Sequence, residues 1–130
     1  NPNKKQIMKL CSKMSSCNFY QQVENISKYM KKADLAIGAG GTSTWERCYL
    51  GLPAIVTSLS KDQKKINEEL SKIGCIIYLG DADKTTKIDY VKILKEIDSK
   101  RLSEISKKCL LLVDGKGVKR TVNKIFQTVN

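Results

Sequence analysis

Three short apolar runs, each unbroken rather than alternating, constrain this chain most. They are ADLAIGA (33–39), AIVTSL (54–59) and CIIYLG (75–80), and a helix-like segment separates each from the next. A strand with one wet face alternates apolar and polar residues, so an unalternating run is expected to be buried on both faces. Strands of that kind, joined through helices, form a parallel sheet with helices on both faces, an α/β Rossmann-like fold.

The flanking segments fit that frame. KKQIMKLCSKM (4–14) places Ile7, Met8, Leu10 and Cys11 on one side of a helix with lysines opposite. NFYQQV (18–23) is a short strand candidate, and Asn25 is placed to cap a helix over ISKYMKK. A helix near 43–50 leads through Gly51-Leu52-Pro53 into the second run, and a Lys/Glu-rich helix over 61–73 ends at Gly74, a C-cap glycine. Segments 87–98, 101–113 and 117–129 carry helical periodicity, and DADKTTK (81–87) is the most loop-like stretch. With no repeat or low-complexity linker, residues 1–130 read as a single compact domain.

Charge narrows the partners. The formal charge is +11, from 24 Lys+Arg against 13 Asp+Glu, and the excess is mostly lysine. Lysine spread along helices reads as a solvated surface, and no aromatic RNA-binding signature accompanies it, so nucleic acid is not the expected partner. Five cysteines lack Cys-x-x-Cys spacing and there is no histidine, which argues against a disulfide framework or a zinc site. Reduced thiols, no signal peptide and no apolar run near the ~20 residues of a membrane helix predict a cytoplasmic protein without a membrane span. No metal or cofactor is called for. The opening Asn-Pro-Asn leads us to expect a piece of a longer protein.

Between the first run and the next helix stand Gly38-Ala39-Gly40-Gly41 and then Thr42-Ser43-Thr44-Trp45-Glu46-Arg47. Ligands of an open parallel sheet bind beyond the carboxyl ends of its strands. Gly40 and Gly41 permit positive φ and close backbone approach, the helix start offers unpaired N–H groups, and three hydroxyls add donors for phosphate oxygens. A second reading is a capping box with Ser43 as N-cap and Glu46 returning to its amide. That reading leaves Gly40, Gly41 and Thr42 unexplained. The stretch lacks both the lysine of a P-loop and the spacing of the dinucleotide fingerprint. Glu46 suits sugar hydroxyls better than phosphate, so a nucleoside diphosphate fits both halves: pyrophosphate on the loop, ribose on Glu46.

Trp45, one helical step from Glu46, reads as a packing residue under the loop rather than a platform for a base. For Arg47, a phosphate contact and a surface or interface salt bridge are both open. Asp114-Gly115-Lys116-Gly117 reads as a turn, with Asp114 the cap of the last helix.

ADLAIGAGGTSTWERCYLGLPAIV, followed by DQKKINEEL and DGKGVKR, resembles the nucleotide-binding C-terminal half of the UDP-sugar hydrolases of pseudaminic acid biosynthesis and the related spore-coat polysaccharide biosynthesis proteins. More distantly it is similar to the C-terminal lobe of the glycosyltransferase B fold. The resemblance implies that Gly40, Gly41, Thr42, Ser43 and Thr44 surround the diphosphate of UDP or a UDP-sugar. It implies that Glu46 holds the ribose and that Gln63 and Asn67 face the sugar side. Asp62 stands where relatives are expected to carry asparagine. The implied activity releases UDP from a diacetamido-trideoxy hexose. The implied general base, a histidine, belongs to a missing N-terminal domain, so no catalytic residue is expected in this chain. The alternatives are a glycosyltransferase lobe, or a non-catalytic nucleotide-sugar-binding subunit. A strand expected before Asn1 is also missing, leaving three outcomes open: an exposed sheet edge, incomplete order, or a strand borrowed from a neighbour.

Overall fold

A computed structural model of the chain, described over residues 2–129, contains one three-stranded parallel sheet with helices packed around it. The elements run α1 (Lys4–Cys11), α2 (Ser27–Met30), β1 (Ala36–Ala39), α3 (Thr42–Tyr49), β2 (Ala54–Ser58), α4 (Lys61–Lys72), β3 (Ile77–Asp81), α5 (Lys87–Glu96), α6 (Ser99–Leu112) and α7 (Gly117–Val129). The sheet order is β1-β2-β3, with Ile37 opposite Ile55 and Ile55 opposite Ile77. The α/β class read from the unbroken apolar runs is therefore the observed one.

Burial is uneven across the sheet. Every residue of central β2 is buried, and Ile55, Val56, Leu70, Ile77, Ile105 and the thiols of Cys48, Cys75 and Cys109 form the core. Helix α4 packs on β2 and β3, and α3 packs on α6. Gly51 (φ 66°) brings the turn after α3 against Leu110 and Ser106 of α6, where any side chain would collide. Gly74 (φ 78°) follows α4 as its sequence position predicts.

Two expectations fail at the β1 side. The first apolar run is not fully buried: β1 pairs with β2 alone among the described residues, and Ile37 is 54% exposed. The unpaired outer edge of β1 among the described residues corresponds to one of the three outcomes foreseen, an exposed sheet edge. Residues 18–23 form no strand, because no described strand lies beside them and an isolated extended segment has no ladder to stabilise it. Tyr20 instead packs its ring 4.7 Å from that of Tyr29.

The helical readings hold with shifted ends. The segment 26–32 gives only the single turn α2, and Asn25 does not cap it: Ile26, in helical conformation, is the N-cap, while Asn25 Oδ1 accepts from the Ser27 amide at 3.1 Å one position before it. Asp98 caps α6 through the Arg101 amide at 2.8 Å. Asp114 accepts from the Lys116 amide and pairs with Arg120 at 2.6 Å, fixing the entry to α7. The apolar stripe of α7, Val118, Val122, Ile125 and Phe126, stays exposed. Among the described residues no helix is long and apolar enough to cross a membrane.

A candidate anion site at the start of helix α3

The chain leaves β1 at Ala39 and turns into α3 within two residues. Gly41 is the N-cap, at φ 143° and ψ −161°, a conformation essentially confined to glycine. Its carbonyl accepts from the Thr44 amide at 2.9 Å, and no side chain caps the helix. The capping box expected at Ser43 and Glu46 is therefore absent. Because the glycine ends the extended backbone, the helix starts at Thr42, which puts Ser43 inside the first turn and Glu46 beyond the reach of the N-cap amide. There is no acidic residue in that first turn. The α3 start is thus an uncapped positive pole at the carboxyl end of the sheet.

The three glycines have three separate jobs. Gly38 makes room for Arg47: a Cβ there would sit 3.0 Å from the guanidinium Nη1. Gly40 makes room for Asn67, whose amide occupies the space a side chain would need. Gly41 supplies the backbone turn, with Gln63 Nε2 3.7 Å from where its Cβ would stand. The freedom that sequence reasoning assigned to ligand approach at Gly40 and Gly41 is, at Gly40, spent on close packing, as is the missing side chain of Gly38.

The structure brings most of the expected site residues to one place, in two layers. Gly41, Thr42 and Glu46 are exposed and Ser43 is half-buried. Gln63 reaches the loop from α4, its Oε1 accepting from the Leu59 amide at 3.0 Å. Beneath them lie Gly40, Thr44 and Asn67. Thr44 accepts a hydrogen bond from Arg47, and Asn67, 1% exposed, donates from Nδ2 to Ser58 Oγ at 2.9 Å. Ser58 Oγ is also 2.8 Å from the Tyr78 hydroxyl, so a polar relay links the loop support to β3. Asn67 thus sits under the glycine turn rather than at its surface.

Arg47 departs from the salt-bridge expectation. It is 6% exposed and forms no ion pair among the described residues. Nη2 donates to the Ala39 carbonyl at 2.9 Å and to Thr44 Oγ1 at 3.0 Å, while the buried Nε has no partner. Leaving such a donor unsatisfied costs about 1–3 kcal/mol. Burial pulls the guanidinium below its usual basicity, yet a group of that strength stays charged. Trp45, expected beneath the loop, is instead 42% exposed, since Arg47 fills the space below.

One feature escaped the sequence reading. Glu46 lines a cavity of about 380 Å³ together with Asn25, Ile26, Met30, Tyr49 and Leu50. It pairs a carboxylate with an apolar wall beside the α3 start. No local pattern marks residues 24–31 as its wall, because they lie some twenty positions earlier in the chain.

Comparison with known proteins agrees with this architecture. Residues 1–120 match the model of the glycosyltransferase family 28 C-terminal domain. A spore coat polysaccharide biosynthesis protein, SpsG of Bacillus subtilis (strain 168), is 30% identical over 129 residues, which is 97% of this chain and 38% of the relative. The chain thus spans well under half the length of that relative. With a parallel sheet, a glycine turn at its carboxyl edge and a family match across most of its length, the chain belongs to the glycosyltransferase family 28 C-terminal domain family.

Proposed function

We propose that this domain is the UDP-binding lobe of a UDP-sugar hydrolase acting in nonulosonic acid or surface polysaccharide biosynthesis. The observation that carries the reading is the uncapped α3 start with Glu46 beside a cavity little more than one turn along. Helix-start amides and the Thr42 and Ser43 hydroxyls suit a diphosphate. Glu46 accepts from ribose hydroxyls, and the base enters the cavity walled by Ile26 and Met30. Gln63, already beside the loop, donates from Nε2 toward the sugar end. Gly40, Thr44 and Asn67 support the diphosphate cradle from below. The Bacillus relative is a spore coat polysaccharide biosynthesis protein, which supports the polysaccharide part of this reading.

This lobe contributes binding and charge stabilisation, not the base. As the bond from the anomeric carbon to the diphosphate oxygen breaks, negative charge grows on the leaving UDP, and preorganised amides at α3 stabilise it. We assign the general base and the attacking water to a further domain of the full-length protein, in line with the greater length of the Bacillus relative. The family match favours one second reading, a transferase in which an acceptor hydroxyl replaces water.

Calorimetric titration of the full-length protein with UDP, UMP and ADP, beside Glu46→Ala, tests the binding reading. The expected result is saturable binding that prefers UDP and weakens in the variant. Equal affinity for UDP and ADP, or indifference to Glu46→Ala, would sink it. UDP release from the UDP-sugar without an acceptor supports hydrolysis; strict dependence on an acceptor supports transfer.

A further inference from the structure

Arg47 is the one charged side chain among the described residues that is buried, and no carboxylate forms an ion pair with it, the neighbouring Glu46 acting on it only at longer range. A neutral donor could bond the Ala39 carbonyl and the Thr44 hydroxyl without the desolvation that a cation suffers. A buried charge without a counter-charge destabilises the fold unless something else compensates it. The neighbouring geometry is nevertheless arranged around it: Gly38 leaves room for Nη1, and Nη2 grips both ends of the turn from Ala39 to Thr44. That turn carries the uncapped amides of α3, where an anion would supply the counter-charge that no ion pair provides.

We propose that Arg47 is a positioning residue of the α3 site, fixing the 39–44 turn and setting its preference for a diphosphate over an uncharged nucleoside. The inference rests on the UDP-binding reading above. Side chains on a helix lean toward its N-terminus, so the guanidinium of Arg47 lies below the first turn rather than beside its own backbone. A fixed positive charge in a dry layer acts on an overlying anion through a low dielectric, with no reorganisation on binding. Its effect therefore scales with ligand charge and leaves the nucleoside untouched. A purely structural strut would weaken uridine, UMP and UDP alike.

The test is titration of the full-length protein and Arg47→Gln with uridine, UMP and UDP, with thermal unfolding as the control for folding. The expected result is a loss of UDP affinity of about tenfold or more, a smaller loss for UMP, and uridine unchanged within about twofold. Arg47→Lys keeps the charge without the fork and should recover part of the UDP preference. An unchanged UDP-to-uridine ratio in folded Arg47→Gln overturns the inference alone. A wild-type protein that does not prefer UDP to uridine overturns the UDP-binding reading and this one with it. If Arg47→Gln does not fold, Gly38→Ala serves, because its methyl presses on the guanidinium, which must give by a few tenths of an ångström while keeping its charge. A selective loss of UDP binding there supports the inference, and a uniform loss across the three ligands overturns it.

Discussion

Three helices begin at the same edge of this sheet, one after each strand, and they begin differently. After β3, α5 is closed by a capping box: Asp89 Oδ2 accepts from the Thr86 amide at 2.8 Å and from its hydroxyl at 2.7 Å. After β2, α4 has extended Ser60 as N-cap, Asp62 in its first turn, and Gln63 folded back onto the Leu59 amide. After β1, α3 has a glycine N-cap, no acid in its first turn and a buried guanidinium underneath. Two of the three first turns carry a carboxylate of the protein's own, bonded in a capping box at α5 and unbonded at α4, where no side chain caps the helix either. The third is left positive, which is why we place the ligand there. Strand position alone makes all three loops eligible; the chemistry of the first turn separates them.

The largest effect should come from the layer under α3. In Gly40→Ala, the new methyl overlaps the Asn67 amide, which is itself buried and bonded to Ser58. Overpacking of this kind costs about 1–3 kcal/mol, and losing the buried hydrogen bond adds about 1 kcal/mol. Urea unfolding should show the loss; an unchanged midpoint would mean that the glycine is not needed for packing. Gly41→Ala comes next. Holding a side chain at φ 143° costs about 1–3 kcal/mol, and relief of that strain would rotate the first-turn amides, so UDP affinity should fall along with stability.

The comparison becomes sharper with Ser43→Asp, which gives α3 the acidic first turn that α4 already has. A carboxylate there should stabilise the helix by about 0.3–1 kcal/mol while repelling a diphosphate. Unfolding temperature should rise and UDP binding should collapse in the same protein. If both rise, the ligand does not use this pole. Asp62→Asn, at α4, is the control: a small loss of stability of about 0.3–1 kcal/mol and no comparable loss of UDP binding.

What the sequence disclosed follows from how local each determinant is. Unbroken apolar runs place β2 and β3 because a buried strand needs little else. The boundary of α3 hinges on one backbone angle, and Ser43-x-x-Glu46 and Thr86-x-x-Asp89 look alike as capping boxes until Gly41 takes the N-cap of the first. Arg47 was unreadable for another reason. An arginine eight positions beyond Ala39 carries no mark of being buried, and the mark that exists, the missing side chain at Gly38, also fits a ligand. Residues 18–23 carry strand composition, but composition does not supply a neighbour to pair with. The cavity beside Glu46 is assembled from segments distant in sequence, so no window of the chain contains it.

The smallest expected effect uses α5 as the closed counterpart of α3. Its two hydrogen bonds from Thr86 hold the Asp89 carboxyl below its ordinary value. A carboxyl depressed in the folded state contributes stability that is present above its unfolded value, about 3.9, and is lost as pH falls through the folded one. The α5 cap should therefore loosen only in acid, and Asp89→Asn should flatten that part of the melting temperature against pH. UDP binding at α3 should keep its own pH dependence in the variant, because no carboxylate closes that helix. A shift of the UDP binding profile in Asp89→Asn would show that the helix starts are coupled through β3 and its polar relay to Ser58, and the separation drawn between the open and closed poles would fail.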